Sequence, residues 1–448
     1  MGWINDPNGL VYFHGEYHLF YQHYPDSPSW GPMHWGHAVS RDLVHWEHLP
    51  IALYPDELGA IFSGSAVVDR CDSSGFFGGR PGLVAVFTHA GKHGQVQSIA
   101  FSRDRGRTWT KYAGNPVIDA FCSEDFRDPK VFWHEPSGAW VMVVAGGKVR
   151  IYRSHNLIDW SFSSDNELWT ECPDLFPLTV DGDPKEVKWV LSMAGRGYCV
   201  GDFDGWRFVP ETGVLPMNCG PDAYAAQTFN DEPDGRRILI NWMNDWKYAN
   251  DLRQLTGPWS GVMSFPYELA LCRTDSGLRL VQRPVAELET LRIDRFSAGD
   301  VPLEPGCNPL VGVRGTQLEV IVEAEVESAR EFGLKVRKGA GEETVVGYDA
   351  GTRTFFVDRS RSGKMLSGRF EAPRTSQGER VKLRVLVDAC SVEVFGDDGM
   401  VVLTSLIFPQ PESDGLELYA AGGRVNLVSV DVYWLAPVLQ AAAGVERQ

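Results

Sequence analysis

Ser40-Arg41-Asp42-Leu43-Val44-His45-Trp46 returns along the chain as Ser102-Arg103-Asp104-Arg105-Gly106-Arg107-Thr108-Trp109 and as Ser154-His155-Asn156-Leu157-Ile158-Asp159-Trp160. A shortened copy stands at Asp202-Phe203-Asp204-Gly205-Trp206. Each copy reads as the end of one strand, a polar turn, and a Trp opening the next strand. Upstream of the copies lie hairpins whose first strands open on small or acidic residues: Asp6-Pro7, Ser63-Gly64, Asp128-Pro129, Pro173-Asp174 and Pro221-Asp222. Five units of about four strands each result, the sequence signature of a β-propeller. In that architecture the innermost strand of every blade borders one central channel. Residues opening those strands therefore converge, however far apart they lie in sequence.

The segment Gln282-Arg283-Pro284-Val285-Ala286-Glu287-Leu288-Glu289-Thr290-Leu291-Arg292 breaks the pattern. Pro284 suits a first helical turn, and Leu288 and Leu291 share a face, so a short helical linker is expected. Beyond it, Leu318–Ala324, Val381–Val387 and Ser391–Phe395 alternate apolar with polar residues, as antiparallel strands with one buried face do. The fold class is thus all-β: a five-bladed propeller over residues 1–281, a linker over 282–294, and a β-sandwich over 295–448.

A chain of 448 residues has ample room for two such cores. Its net charge of −17 repels phosphate backbones and anionic lipid, so neither nucleic acid nor membrane is expected as a partner. No apolar run approaches the roughly 20 residues that span a bilayer. The cysteines (Cys71, Cys122, Cys172, Cys199, Cys219, Cys272, Cys307 and Cys390) show no CxxC spacing and read as reduced, space-filling residues. They point to a cytoplasmic location for the chain as given, or to secretion where a leader has been removed. His34, His37, His45 and His48 lack a HExxH pattern, so no zinc site is expected.

Convergence selects three acids. Asp6 opens the first unit, Asp128 the third, and Glu171 lies just before the fourth. Asp6 and Asp128 each precede a proline, which holds the residue before it in extended geometry. Three carboxylates in one channel repel one another, and such a site persists where one retains a proton or a cation intervenes. Arg127 is the candidate cation, keeping Asp128 ionised. Two carboxylates facing across a small cavity are what glycoside hydrolysis requires. Trp30, Trp35, Phe62 and Trp242 offer flat faces for the C–H surfaces of a sugar, and Asn5, Gln22 and Ser63 offer hydrogen bonds to its hydroxyls.

These residues make the chain recognisable. Trp3-Ile4-Asn5-Asp6-Pro7-Asn8-Gly9, Trp35-Gly36-His37-Ala38, Phe62-Ser63-Gly64-Ser65, Phe126-Arg127-Asp128-Pro129 and Glu171-Cys172-Pro173-Asp174 resemble, in order, the motifs of the glycoside hydrolase family 32 β-fructosidases: levanases, exo-inulinases, invertases and related fructosyltransferases. The resemblance implies a propeller followed by a sandwich. It implies Asp6 as nucleophile, Glu171 as acid/base and Asp128 as transition-state stabiliser. Asn5, Gln22, Trp30, Phe62, Ser63, Arg127 and Trp242 would bind substrate. The implied partner is a fructose-containing oligo- or polysaccharide, with no cofactor. Asn241-Trp242-Met243-Asn244-Asp245-Trp246 looks like the form found in bacterial fructan-degrading members.

Departures are also visible. Tyr267 stands where members usually carry Arg, and Asp251-Leu252-Arg253-Gln254-Leu255-Thr256-Gly257 is unusual and is expected to shape the pocket rim. The short strand that normally precedes the nucleophile motif is missing, which a start codon placed too late would explain. Two rival readings keep the same carboxylates: a fructosyltransferase, in which a sugar hydroxyl resolves the intermediate, and a catalytically silent fructan-binding homologue.

Overall fold

A computed structural model of the chain describes residues 1–92, 94–119 and 125–438. Two compact units emerge. The first comprises Met1–Asp42, Glu47–Met217 and Ala223–Leu280; the second comprises Leu43–Trp46, Asn218–Asp222 and the chain from Val281 onward. Cys122 lies outside the described residues, and the seven described cysteines are all free thiols.

In the first unit five blades follow one another, each an inner strand with its partners, and the fourth and fifth blades are joined in one ten-stranded sheet. They open on strands Gly2–Phe13, Ala60–Asp69, Arg127–His134, Pro173–Val180 and Tyr224–Thr228. In the third blade these partners are Ala139–Ala145, Val149–Ser154 and Ser161–Asn166, hydrogen-bonded in sequence order. The second strand of that blade, Ala139-Trp140-Val141-Met142-Val143-Val144-Ala145, is buried throughout. Trp140, Met142 and Val144 pack with Val67, Val84, Val86 and Ile99 of the second blade. Val141 and Val143 turn the other way, onto Leu175, Leu191 and Phe203 of the fourth. A strand buried on both faces cannot alternate with polar residues, which is why it reads as an unbroken apolar run. Each such side chain contributes roughly 1.5–3 kcal/mol by leaving water.

The recurring turn has one construction. Leu43 and Leu157 adopt left-handed backbone at φ 62° and 65°, where Gly106 sits at 80°. The carbonyls of these three residues accept the indole N–H of Trp46, Trp160 and Trp109 at 3.0–3.1 Å. Ser40, Ser102 and Ser154 each donate to the acid or amide two residues on. The Trp therefore locks the turn that precedes it.

The ring closes through backbone. Trp259–Ser260 pairs in parallel with Gly2 and Trp3 of the first strand. Gly261 follows at φ 97°, where a Cβ would stand 2.0 Å from the Ile4 carbonyl oxygen, so only glycine allows this approach. Asn230 and the first strand exchange two more backbone bonds, with Tyr12 and with Leu10.

The second unit holds a six-stranded and a five-stranded antiparallel sheet. Leu318, Val320, Val322 and Ala324 enter their shared core with Leu334, Val346, Val385 and Val430. Glu319 breaks the alternation because it is buried between Arg292 at 2.7 Å and Arg384 at 2.6 Å. The linker differs in detail from expectation. Pro284 ends strand Gly277–Pro284 rather than starting a helix, and the helical turn is a 3-10 segment over Ala286–Leu291. Its buried residues are Leu288 and Leu291, and strand Arg292–Leu303 follows at once.

Candidate active site

Asp6 does not sit at the mouth of its strand. The strand runs Gly2–Phe13, and Asp6 lies inside it at an interruption of the ladder. Ile4 pairs with His23 and Pro7 with Tyr21, so Asn5 and Asp6 together oppose Gln22. Two residues against one is a β-bulge. The same irregularity recurs on three more inner strands. Phe62 and Ser63 oppose Thr88, Asp128 and Pro129 oppose Val144, and Ala225 and Ala226 oppose Asn241. In a regular strand consecutive side chains point to opposite faces. A bulge suspends that rule, and the cavity shows it: Asn5 with Asp6, Phe62 with Ser63, and Arg127 with Asp128 all reach the same lining. Gly64 makes the second bulge possible, since a Cβ there would meet the Val86 carbonyl oxygen at 2.1 Å.

The fourth blade reaches the cavity by another route. Its inner strand pairs regularly from Pro173, and Glu171 and Cys172 precede it in a bend. Cys172 has φ 42°, Asp128 has φ 63° and Ala225 has φ 52°. Left-handed backbone at non-glycine residues is uncommon and concentrates at functional sites.

The cavity has a volume of about 250 Å³ and is lined by Asn5, Asp6, Gln22, Trp30, Phe62, Ser63, Arg127, Asp128, Glu171, Cys172, Tyr224 and Trp246. Asp6 Oδ2 accepts the Ser63 hydroxyl at 2.6 Å, and Oδ1 accepts the Asn5 amide at 2.9 Å. The Trp3 indole donates to Asn5 Oδ1 at 2.7 Å, which fixes that amide. Cys172 Sγ lies 3.6 Å from Asp6 Oδ2, and the Cys172 backbone N–H donates to Asp128 Oδ2 at 3.0 Å. Arg127 Nη2 donates to Glu171 Oε1 at 2.7 Å, and the Tyr224 hydroxyl donates to Glu171 Oε2. Gln22 is buried at the cavity wall, and its Nε2 has no partner among the described residues.

Burial, then the charge of Asp6, pushes Asp128 up to about 7; Arg127 opposes the shift. Burial also raises Asp6, partly offset by the bonds from Ser63 and Asn5. The two behave as a crowded pair that keeps a proton near neutrality. The Cys172 thiol is pushed well up by burial and by the surrounding carboxylates, so it carries no thiolate chemistry.

Several sequence expectations are corrected here. Arg127 serves more than Asp128: it reaches Asp128 Oδ2 at 3.8 Å and lowers that carboxyl, but its closer ion pairs are with Asp125 at 2.5 Å and Glu171 at 2.7 Å. Trp242 does not line the cavity. It is fully buried, its ring 6.0 Å from Trp3 and 4.9 Å from Trp246, and it is Trp246 that reaches the opening. Trp35 is also buried, donating to the Phe62 carbonyl at 3.0 Å. The fifth opening supplies no carboxylate, because Asp222 is buried against Arg359 at 2.6 Å in the second unit. Tyr224, two residues later, was not singled out from the sequence. Among the histidines, His37 faces His18 at 3.1 Å, and burial holds both low. Tyr267 is buried. The unusual segment near residue 251 braces the rim: Asn250 accepts the Trp30 N–H at 3.1 Å, and Arg253 donates to Ser29 at 2.6 Å.

Comparison with known proteins agrees with the geometry. The model described as "Glycosyl hydrolases family 32 N-terminal domain" matches residues 1–284, and that described as "Glycosyl hydrolases family 32 C terminal" matches residues 287–434. The chain is 49% identical to a levanase of Bacillus subtilis, with 97% of this chain and 69% of that protein covered. It is 41% identical to a levanase of Bacillus sp. strain L7, with 97% of this chain covered; it spans about half that protein's length, 51%. The crystal structure of exo-inulinase from Aspergillus awamori superposes with a TM-score of 0.90 at 34% identity, covering 98% of this chain and 97% of that one. That solved relative is a five-bladed propeller with a C-terminal sandwich. The chain belongs to glycosyl hydrolase family 32.

Proposed function

We propose that this protein is an exo-acting, retaining hydrolase that removes terminal β-D-fructofuranosyl residues from fructans. The observation that carries the proposal is the meeting of Asp6, Asp128 and Glu171 in one small cavity. At about 250 Å³ it falls just under the range typical of drug-sized ligands, about 300–1,000 Å³, and suits a single sugar ring. The relatives named levanase and exo-inulinase supply the substrate class.

The steps follow from the hydrogen bonds. Asp6 Oδ2 attacks the anomeric carbon as the bond to the leaving oxygen breaks, and Glu171 gives that oxygen a proton. A fructosyl ester on Asp6 results. Water then attacks the same carbon and returns a proton to Glu171, and Asp6 leaves as carboxylate. The Tyr224 hydroxyl suits both states of Glu171, because a phenol donates to the carboxylate and accepts from the acid. Arg127 holds the carboxylate form between the two steps. Asp128 accepts from sugar hydroxyls and faces the positive charge that develops on the ring. Gln22 Nε2 supplies a waiting donor. Residues 1–281 would carry this chemistry, and 295–448 would serve as a packing module joined by 282–294.

Product analysis on levan, inulin and sucrose tests the reading. Free fructose is the expected product. Difructose anhydride or longer oligomers, with little free fructose, would indicate a transferase instead.

A further inference from the structure

A second hollow adjoins the catalytic cavity at Glu171 and Tyr224. It has a volume of about 640 Å³ and shares just these two residues with the cavity. Its remaining wall comes from the fourth blade, including Trp169, Met193, Arg196, Val214 and Leu215. Asp6, Asn5 and Gln22 take no part in it.

That adjacency decides what belongs there. In a retaining displacement the nucleophile and the leaving oxygen lie on opposite faces of the anomeric carbon, and the acid must touch the leaving oxygen. With Asp6 as nucleophile and Glu171 as acid, the departing part of the substrate has to extend past Glu171. The hollow beginning at Glu171 and Tyr224 offers it a path. Trp169, two residues before Glu171, is 61% exposed there, and Val214 is 58% exposed. An exposed indole in a sugar path supplies a flat apolar face for C–H surfaces. Arg196, braced by Asp245 at 3.5 Å, brings hydrogen-bond donors to the same wall.

We infer that this hollow binds the leaving side of a fructan chain over several sugar units, with Trp169 as the stacking platform, and so selects polymeric fructan over sucrose. The inference rests on the hydrolytic reading above. The single glucose that leaves sucrose ends near Glu171 and gains little from Trp169, whereas a polymer continues along it.

The test is kcat/KM of the full chain on levan, inulin and sucrose for the wild type, Trp169→Ala, Trp169→Phe and Trp206→Ala. Trp206 is an exposed Trp, 57% accessible and stacked on Arg153, outside both hollows. Trp169→Ala is expected to lower kcat/KM on the preferred polymer about tenfold, mainly through KM, and to leave sucrose within about twofold. Trp169→Phe should recover most of the loss, and Trp206→Ala should change neither substrate. An equal loss on sucrose and polymer, or no loss on either, overturns the inference while the hydrolytic reading stands. A wild-type chain that releases no fructose from any of the three overturns both.

Discussion

Arg127 grips Glu171 rather than its own neighbour Asp128: the guanidinium meets Glu171 Oε1 at 2.7 Å and comes no closer than 3.8 Å to Asp128 Oδ2. Asp128 therefore shares its buried space with Asp6 while the nearest cation is engaged more closely elsewhere, and burial and Asp6 raise its carboxyl to about 7 despite Arg127. In the proposed mechanism, the division of labour among the three acids follows from where that one positive charge is placed.

Removing the charge should act on turnover. Arg127→Ala is expected to lower kcat about 10²-fold or more with a smaller change in KM, because the guanidinium steadies Glu171 between proton transfers. A rise in KM with kcat unchanged would make Arg127 a substrate-binding group only.

Tyr224→Phe deletes one hydrogen bond to Glu171 and leaves the ring in place. Bonds to charged groups are worth about 1.5–3 kcal/mol, so a loss of about 10- to 100-fold in kcat is expected, with thermal stability nearly unchanged. Steady-state kinetics together with a melting curve check this.

Asp128 should make stability depend on pH. Its carboxyl is raised from 3.8 to about 7 in the folded chain, so between those values the folded state holds a proton that the unfolded state has released. Stability from this group is fully present below about pH 4 and is lost as pH rises through 7. Asp128→Asn removes the buried charge and is expected to raise Tm at about pH 8 and to do little near pH 4, while kcat falls about 10³-fold. A Tm gain confined to acid pH would contradict the assignment.

Trp242 and Trp246 should separate by phenotype. Trp242 is fully buried, so Trp242→Ala is expected to cost about 3–5 kcal/mol of stability, read as a drop in Tm. Trp246 is 42% exposed at the cavity opening, so Trp246→Ala should raise KM and leave Tm within a few degrees.

Much of this was legible before any coordinates. The Trp-locked turns announced the blades because each needs a left-handed residue and an indole at a fixed offset. Asp6, Asp128 and Glu171 were legible as acids near the starts of successive inner strands, which border one channel, although Asp6 lies within its strand rather than at its opening. What the residues concealed was the bulges. A bulge leaves no composition signal of its own, yet it decides that both Asn5 and Asp6 reach the cavity. Burial explains the exchange of tryptophans: strand Arg237–Met243 is buried from Ile238 onward, Trp242 with it, and Trp246 follows the strand's end. The partner of Arg127 was not legible, since Asp125, Asp128 and Glu171 all lie within reach of one flexible side chain. Tyr224 stood two residues beyond an acid that turned out to serve the second unit.

The role of Asp6 is open to direct observation. In Glu171→Gln, a fructosyl donor with a good leaving group, such as fructosyl fluoride, needs no acid to enter, and the ester it leaves lacks the base that would discharge it. Mass spectrometry of digested protein is expected to show one fructosyl residue on the peptide carrying Asp6, and none in Asp6→Asn/Glu171→Gln. A fructosyl group on another carboxylate, or an unmodified Asp6 peptide from protein that still consumes the donor, would contradict the account.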